Sequence, residues 1–595
     1  MNEIRKTFEF DFNHPVDKLW SIVADTPRWG EASGFPKYQS TEQLQADGTI
    51  KVFGEVSIAG MNLSWEEPPA NWIEELWFEQ LRLFDNGPFV SMATRAEVVD
   101  KNPHSSLSIE ISFVPRNLLG YFLARRLSGA FQGKVQQLLD IADQLIRAEK
   151  PDLFATDFQL SSSAEERLKK VKQAIDQTEY GHGLTDRLLA FITGKQEVDL
   201  WTMRPLALAS RWQVEPRFAI ELFLQSVREG LLESRWDILC PRCRVSKATT
   251  TNIGELPGKV HCDACNIDYE ANFARNVELS FSPSPSIRSV EYGYYCRSGP
   301  GFTPHIKGQC TLDPGESRSL PASLSPGEYR IRTLEAGDEL SFTHNSTALP
   351  EIKLLEDQLE LGGDSPAGQI VLHNNSPVQR TIVIEDRSWL DEVLTAERVT
   401  TMQAFRDLFS DQVLRPGDEV TIRNISFVFT DLVDSTKLFA NIGDAAAYQL
   451  VREHYAILGE VVRKHDGTIV KTRGDGIHAA FLTPDAALLA SIEMQQSIGQ
   501  FNDESSSDPI TIRIGINSGS SISVNLNDRL DYYGKTVNLA ARLEGEGEAG
   551  DITMSRDFVE DPAVAEILRS YDQREREARF KGLSEPLVIC QITPR

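Results

Sequence analysis

Two aspartates at the ends of predicted strands have the spacing that points most clearly to chemistry. Asp431 ends the apolar run ISFVFTD, and a helix start is predicted directly afterwards at Ser435. Asp475 lies in a Gly-Asp-Gly turn between two further predicted strands. Such strand ends can face each other, and two close carboxylates are costly unless cations lie between them. The pair therefore predicts a two-metal phosphoryl-transfer site, whereas each aspartate alone could be a helix cap or a bare turn residue.

Five motifs follow one another in the C-terminal part of the chain: FVFTDLVDST, KTRGDG, RIGINSG, DYYGKTVNLAARLE and FKG. This ordered set resembles the catalytic domain of class III adenylate/guanylate cyclases over about residues 425–595. The resemblance implies an α/β domain with a ferredoxin-like palm that cyclises a nucleoside triphosphate. It also implies two Mg²⁺ or Mn²⁺ ions per active site, bound by Asp431, Asp475 and the carbonyl oxygen of Leu432.

The same resemblance implies roles for the residues that bind substrate. Asn538 would orient the ribose, Arg542 would stabilise charge on the reacting α-phosphate, and Lys581 would contact the triphosphate. Lys471 and Asp531 match the positions that bind the purine. A lysine only donates hydrogen bonds and an aspartate only accepts them, which fits the edge of adenine and mismatches guanine. We therefore expect ATP to be converted to 3′,5′-cyclic AMP and pyrophosphate; a surface ion pair is the alternative for these two residues.

Four cysteines form two CxxC pairs separated by eighteen residues: Cys240 with Cys243, and Cys262 with Cys265. This is the spacing of a zinc ribbon, in which two tight turns direct four thiolates at one metal ion. Because thiolates would fill all four positions, no place remains for a reactive water. We expect one structural Zn²⁺ per chain.

The remaining sequence predicts a multidomain α+β protein. The motif HPVDKLWSIVADTPRW and an order of strand, helix, antiparallel strands and long helix resemble the START-like helix-grip fold. Short apolar helices before the cysteines predict a winged-helix-like module, and turn-rich alternating runs after them predict an all-β unit. The expected boundaries are a START-like domain at 1–149, a helical segment with zinc ribbon at 150–277, an all-β domain at 278–387, a helical connector at 388–420 and the cyclase domain at 421–595.

Aromatic residues are dense in the first of these units, which contains Trp20, Trp29, Trp65, Trp72 and Trp77. In the START-like family the long helix can enclose an apolar pocket against a curved sheet. Plain core packing is the interpretation that we favour for the tryptophans, and the resemblance leaves open a small hydrophobic ligand in the N-terminal domain as the alternative.

Composition limits the partners and the compartment. The chain has 595 residues, with 61 basic against 87 acidic side chains and a net charge of −26. So acidic a chain is expected to be repelled by nucleic-acid phosphates, and we expect no nucleic-acid partner. Because no apolar run approaches the ~20 residues that cross a bilayer, and the first residues lack a signal-peptide core, we expect a cytoplasmic protein without membrane insertion.

A homodimer with shared active sites is expected from the spacing of Lys471 and Asp475, which are close in sequence but serve opposite ends of ATP. The connector is expected to pair with its twin in that dimer and to transmit regulation from the N-terminal domains. Two alternatives remain open at this point. The chain could be a catalytically silent nucleotide-binding regulator, or a protein that binds a hydrophobic ligand and carries an accessory cyclase domain.

Overall fold

The computed structural model describes the chain apart from a set of short stretches. These are residues 1, 33–36, 46–49, 59–60, 148–157, 263–264, 266, 292–298, 323, 336, 346–347, 357, 388–391, 415–418, 505–507, 527–528, 581–585 and 595. The predicted triphosphate contact Lys581 and the ends of the predicted connector lie outside the described residues, as does the side chain of Trp29.

The N-terminal unit is an antiparallel sheet with a long final helix across it. Its elements are β1 (Ile4–Phe12), α1 (Val16–Val23), α2 (Thr26–Ala32), β2 (Gln39–Leu44), β3 (Ile50–Ile58), β4 (Met61–Glu67), β5 (Asn71–Ile73), β6 (Trp77–Phe84), β7 (Phe89–Lys101), β8 (His104–Pro115) and α3 (Leu118–Arg147). The apolar residues Val135 and Leu139 of α3 are buried in the same core as Trp20 and Trp72. This is the predicted order of elements, and the START-like assignment stays a prediction.

The helical unit follows, and it includes the residues between the two cysteine pairs. Its elements are α4 (Ser162–Asp176), α5 (Thr185–Gly194), α6 (Glu197–Leu200), α7 (Pro205–Trp212), α8 (Pro216–Arg228), β9 (Leu232–Leu239), β10 (Ser246–Thr250), β11 (Lys259–Cys262), β12 (Ile267–Glu270) and β13 (Val277–Pro283). Strands β10, β9 and β13 form one small sheet next to the helices. The boundary expected after residue 277 therefore divides a strand.

Two short helices, α9 (Ala396–Thr400) and α10 (Gln403–Leu408), stand where one helical connector was expected. Their apolar residues Val399 and Phe405 are buried in the core of the helical unit, together with Leu394 and Met402. These side chains are used inside the chain and are not available for pairing with a twin. The described part of the connector thus belongs structurally to the helical unit.

A β-sandwich lies between β13 and α9 in the sequence. Its strands are β14 (Ile306–Leu312), β15 (Ser317–Pro321), β16 (Gly327–Thr333), β17 (Glu339–His344), β18 (Pro350–Leu355), β19 (Gln358–Asp364), β20 (Gln369–Asn374) and β21 (Arg380–Asp386). One sheet runs β14-β21-β16-β17 and the other β15-β20-β18-β19. The expected all-β unit is present, but β14 also pairs with β5, so its first sheet continues into the N-terminal unit.

The C-terminal domain is built on an eight-stranded sheet in the order β23-β24-β22-β25-β27-β29-β28, with β26 paired to β25. Its elements are β22 (Glu419–Leu432), α11 (Ser435–Ile442), α12 (Asp444–Lys464), β23 (Thr468–Arg473), β24 (Gly476–Phe481), α13 (Pro484–Glu504), β25 (Ile512–Asn525), β26 (Leu530–Tyr533), α14 (Lys535–Glu544), β27 (Ile552–Ser555), α15 (Arg556–Val559), α16 (Pro562–Leu568), β28 (Arg574–Ala578) and β29 (Leu587–Ile592). No helix among the described residues is long and apolar enough to cross a membrane.

The central strand β22 has a different core on each face. Val428 and Leu432 are buried against α12 and α13, whereas Phe427 and Phe429 are buried with Tyr532 of β26 on the opposite face. Because side chains alternate along a strand, the face of Phe427 and Phe429 is also the face of residue 431. The alternation therefore directs one predicted metal ligand toward the side of the sheet that α14 covers.

Candidate active site

The first predicted metal ligand lies where the central strand ends. Asp431 is the last residue but one of β22, and Leu432 ends the strand with its side chain buried in the core. The backbone then turns through Asp434, which has a left-handed φ of 56°, and α11 begins at Ser435, as predicted. The turn leaves the half-buried Asp431 carboxylate beside the start of a helix.

The second predicted ligand, Asp475, lies in the hairpin between β23 and β24, and a glycine lets this hairpin approach β22. A Cβ atom on Gly476 would lie 1.8 Å from the carbonyl oxygen of Thr430, a distance no side chain can occupy. The neighbouring Ile477 N–H donates to Oγ1 of Thr430 at 3.1 Å and fixes the approach. Glycine at this position thus brings the Asp475 carboxylate next to that of Asp431.

The two carboxylates, which we call the carboxylate pair, act on each other electrostatically. Burial raises the pKa of Asp431, and the negative charge of Asp475 raises it further. Arg513 opposes both effects, because its Nη2 donates to Oδ2 of Asp431 at 2.5 Å. Two carboxylates this close to each other are a donor set that suits divalent cations, and the metal site itself stays a prediction.

Arg513 is a part of the site that the sequence analysis missed. It lies directly opposite Asp431 in the β22–β25 ladder, and its Nε is 2.5 Å from Oε1 of Glu544 at the end of α14. Burial is the main cause that raises the pKa of Glu544. The sequence contains this arginine in the RIGINSG motif, which could have drawn attention to it. Only the strand register, however, shows that it faces Asp431.

Lys471 and Asp531 lie on different strands and form an ion pair, the arrangement that the sequence analysis gave as the alternative to base binding. The Nζ of Lys471 is 2.6 Å from Oδ2 of Asp531, and the other oxygen of Asp531 accepts from the N–H of Tyr532 at 2.8 Å. The lysine side chain is 47% exposed, whereas that of Asp531 is only 8% exposed. The buried Asp531 carboxylate is therefore held by hydrogen bonds to both of its oxygens, while the exposed Lys471 ammonium can reach a ligand from solvent.

Two buried histidines lie near these groups, and both are neutral at physiological pH. Burial lowers the pKa of His478 to about 3 and that of His454 to about 4. The ring of His478 stacks on Phe429 with a centroid distance of 4.3 Å. They contribute to packing around the site and add no positive charge to it.

The two predicted catalytic residues lie on α14. Asn538 and Arg542 are four residues apart and both are exposed. Such a spacing puts them on one face of the helix, whereas Glu544 is rotated by about 200° from Arg542, at 100° per residue. Because Glu544 contacts Arg513 and thereby faces Asp431, Arg542 projects away from the carboxylate pair of its own chain.

The four predicted zinc ligands converge outside the C-terminal domain. The sulfur atoms of Cys240, Cys243, Cys262 and Cys265 all lie within 4.8 Å of one another. Three of these residues are buried and Cys243 is half-buried. Four converging thiols without a disulfide fit a tetrahedral thiolate site, as the spacing predicted.

The C-terminal domain is similar in sequence to a known catalytic family. Residues 418–580 match the family model for the adenylate and guanylate cyclase catalytic domain. The C-terminal part of the chain is a class III cyclase catalytic domain. Residues 162–293, most of the helical unit, match a second family that is described as a family of unknown function (DUF5939).

Individual relatives are similar to part of this chain. An adenylate cyclase of Lachancea kluyveri is 31% identical over 26% of this chain and 10% of its own length. An adenylate cyclase of Anabaena cylindrica is 31% identical over 29% of this chain and 37% of its own length. The match thus spans from about a tenth to just over a third of these relatives. The solved adenylyl cyclase CyaB from P. aeruginosa is 26% identical, with a TM-score of 0.26, over 29% of this chain and 95% of that chain.

The cysteine cluster yields a testable prediction. Full-length protein purified without chelator should contain about one zinc ion per chain, and Cys240→Ser should lose it, because a structural site needs all four ligands. Elemental analysis measures the zinc content, and thermal unfolding measures the accompanying loss of stability.

Cys310→Ser is the matched control, since Cys310 is equally buried but lies outside the cluster. It should keep the zinc. Wild-type protein without bound metal, or a Cys240→Ser variant with full zinc content, would contradict the assignment.

Proposed function

We propose that this protein is an adenylate cyclase that converts ATP to 3′,5′-cyclic AMP and pyrophosphate. The proposal is supported most directly by the carboxylate pair, which lies where the end of β22 meets the β23–β24 hairpin, in a domain whose sequence matches the cyclase catalytic family. The ribose 3′-hydroxyl attacks the α-phosphorus of the same ATP molecule, and pyrophosphate leaves in line with the attack.

Asp431 and Asp475 would hold the two divalent ions, with the Leu432 carbonyl as a further ligand. Their fit to cations is supported by the raised pKa of Asp431 and by the close second carboxylate. When bound, Mg²⁺ or Mn²⁺ lowers the pKa of the 3′-hydroxyl and neutralises the triphosphate. Arg513 then keeps the Asp431 side chain oriented, while its second contact with Glu544 anchors it to α14.

Selection of the base would fall to Lys471 and Asp531. The family includes both adenylate and guanylate cyclases, so membership alone does not decide between ATP and GTP. The lysine ammonium donates to N1 of adenine, and the carboxylate accepts from its N6 amino group. Guanine presents the reverse pattern and would leave the buried Asp531 facing an acceptor.

The orientation of α14 supports an active site shared between two chains. Asn538 and Arg542 face away from the carboxylate pair of their own chain, through the helical geometry described above. In a two-fold homodimer, the pair of one chain would act with Asn538 and Arg542 of the other, and two equivalent sites would form. Arg542 would then stabilise the charge on the α-phosphate, and Asn538 would orient the ribose.

The proposal is favoured over a silent regulator by the residues present. A silent regulator would be expected to lack a metal ligand or the arginine, but Asp431, Asp475 and Arg542 are all present. A cavity of about 1540 Å³ lies between the N-terminal unit, the helical unit and the β-sandwich. Its lining combines charged side chains such as that of Arg28 with apolar ones such as that of Trp72, so it fits a polar ligand as well as an apolar one. We propose that these units regulate the cyclase domain.

The choice of nucleotide tests the proposal. With Mg²⁺ or Mn²⁺, kcat/KM for ATP should exceed that for GTP by at least about tenfold, the scale of one mismatched hydrogen bond at ~1.4 kcal/mol. Chromatographic quantification of the products, cyclic AMP from ATP and cyclic GMP from GTP, measures both rates on the full-length chain. Equal efficiencies for the two nucleotides, or no cyclic product at all, would refute the assignment.

Mixed dimers test the shared site. Asp431→Ala and Arg542→Ala should each be inactive alone, because each lesion damages both sites of a homodimer. After co-expression, half of the dimers are mixed, and each mixed dimer has one intact site, so about one quarter of wild-type activity should return. Co-expression of Asp431→Ala with Asp475→Ala is the control. Both substitutions damage the carboxylate pair, so each of the two sites in a mixed dimer contains one damaged pair and no intact site forms. Mixed dimers of the first pair that form but stay inactive would contradict the shared-site arrangement.

A further inference from the structure

Helix α10 of the helical unit contacts the C-terminal domain at two strands, and these strands carry the residues proposed to bind the adenine base. Gln403 and Arg406 are three residues apart, so they point to the same side of the helix. Gln403 contacts β23, the strand of Lys471, and Arg406 contacts β26, the strand of Asp531. A single short helix thus contacts both strands that carry the Lys471–Asp531 pair.

The contact of Gln403 lies at an irregularity that determines the direction of Lys471. In the β23–β24 ladder Ile469 pairs with Ala479 and Lys471 pairs with His478, so Val470 is an extra residue that forms a β-bulge. Bulges redirect the side chains that follow them. The Oε1 of Gln403 accepts from the N–H of Ile469 at 2.8 Å, at the start of this bulge. Because β23 is the edge strand of the sheet, this contact provides a partner for an edge amide.

The contact of Arg406 lies one residue before Asp531. Its Nη1 donates to the carbonyl oxygen of Leu530 at 2.8 Å, and its guanidinium lies 5.5 Å from the centre of the Tyr532 ring. The side chain of Leu530 is buried in the core of the helical unit, whereas that of the next residue, Asp531, bonds to Lys471. The strand that carries Asp531 is therefore held on one side by the helical unit and on the other by the C-terminal domain.

We propose that Gln403 and Arg406 are positioning residues that set the spacing and direction of the Lys471–Asp531 pair, and thereby control how well the domain selects adenine. This inference rests on the proposed function, because it assigns base selection to that pair. It gives the helical unit a definite task in this chain, which is to hold the part of the active site that recognises the base. Helix α10, which makes these contacts, lies outside residues 162–293, the part of the unit that matches a family of unknown function.

Steady-state kinetics of the full-length chain with ATP and GTP test the inference. Arg406→Ala and Gln403→Ala should each raise KM for ATP and leave kcat for ATP nearly unchanged, so that the ATP-to-GTP ratio of kcat/KM falls by about tenfold. Arg406→Lys keeps a donor for the Leu530 carbonyl, and Gln403→Glu keeps an acceptor for the Ile469 N–H; both should retain most of the ratio. Arg228→Ala, an exposed arginine on α8, is the matched control and should not change it.

Hydrogen exchange supplies a readout that does not depend on turnover. Both alanine variants should exchange the amides of β23 and β26 faster than wild type, with β27 and β29 unchanged. A wild-type protein without cyclic AMP formation would refute the proposed function, and exchange would still decide whether α10 holds the two strands. An unchanged ATP-to-GTP ratio, an equal loss for both nucleotides, or unchanged exchange in β23 and β26 would overturn the inference.

Discussion

The close approach of two carboxylates is the constraint on which the C-terminal domain depends. Asp431 and Asp475 repel each other, and burial adds to the free energy needed to ionise Asp431. The surrounding residues offset this in separate ways: Gly476 allows the approach, and Arg513 compensates charge and is itself held by Glu544. Because Glu544 ends α14, the contacts from Asp431 to Arg513 and from Arg513 to Glu544 also fix this helix, whose other face carries Arg542.

Base recognition depends on a second part of the molecule. The Lys471–Asp531 pair lies on strands that are held by α10 and by the burial of Leu530 in the helical unit. The helical unit is in turn joined to the β-sandwich by the first CxxC turn, since Arg330 donates to the carbonyl oxygen of Arg242 at 2.8 Å. The β-sandwich then continues into the N-terminal unit through the β5–β14 pairing. The regions ahead of the C-terminal domain thus form a continuous support that ends at the residues that would bind the base.

Local features were predictable from the sequence, and long-range partners were not. The start of α11 at Ser435, the two CxxC turns and the hairpin around Asp475 follow from turn and strand patterns that span few residues. The contact of Arg513 with Asp431 depends on strand register, which a single sequence does not define. The connector was predicted as a helix that pairs with its twin, because its apolar spacing is helical. Such spacing does not tell whether a residue such as Phe405 packs against a partner chain or against its own.

The measurement that tests the central claim most directly is cyclic AMP formation from ATP by the full-length Asp475→Asn variant, together with titration of Mn²⁺ binding. Asparagine keeps the size of the side chain and removes its charge, so the fold should persist while one carboxylate of the pair is lost. Asp434→Asn, an exposed aspartate in the turn after β22, is the matched control. The account predicts that Asp475→Asn loses cyclic AMP formation and binds Mn²⁺ more weakly, while Asp434→Asn retains both. Near-wild-type cyclic AMP formation by Asp475→Asn would contradict it.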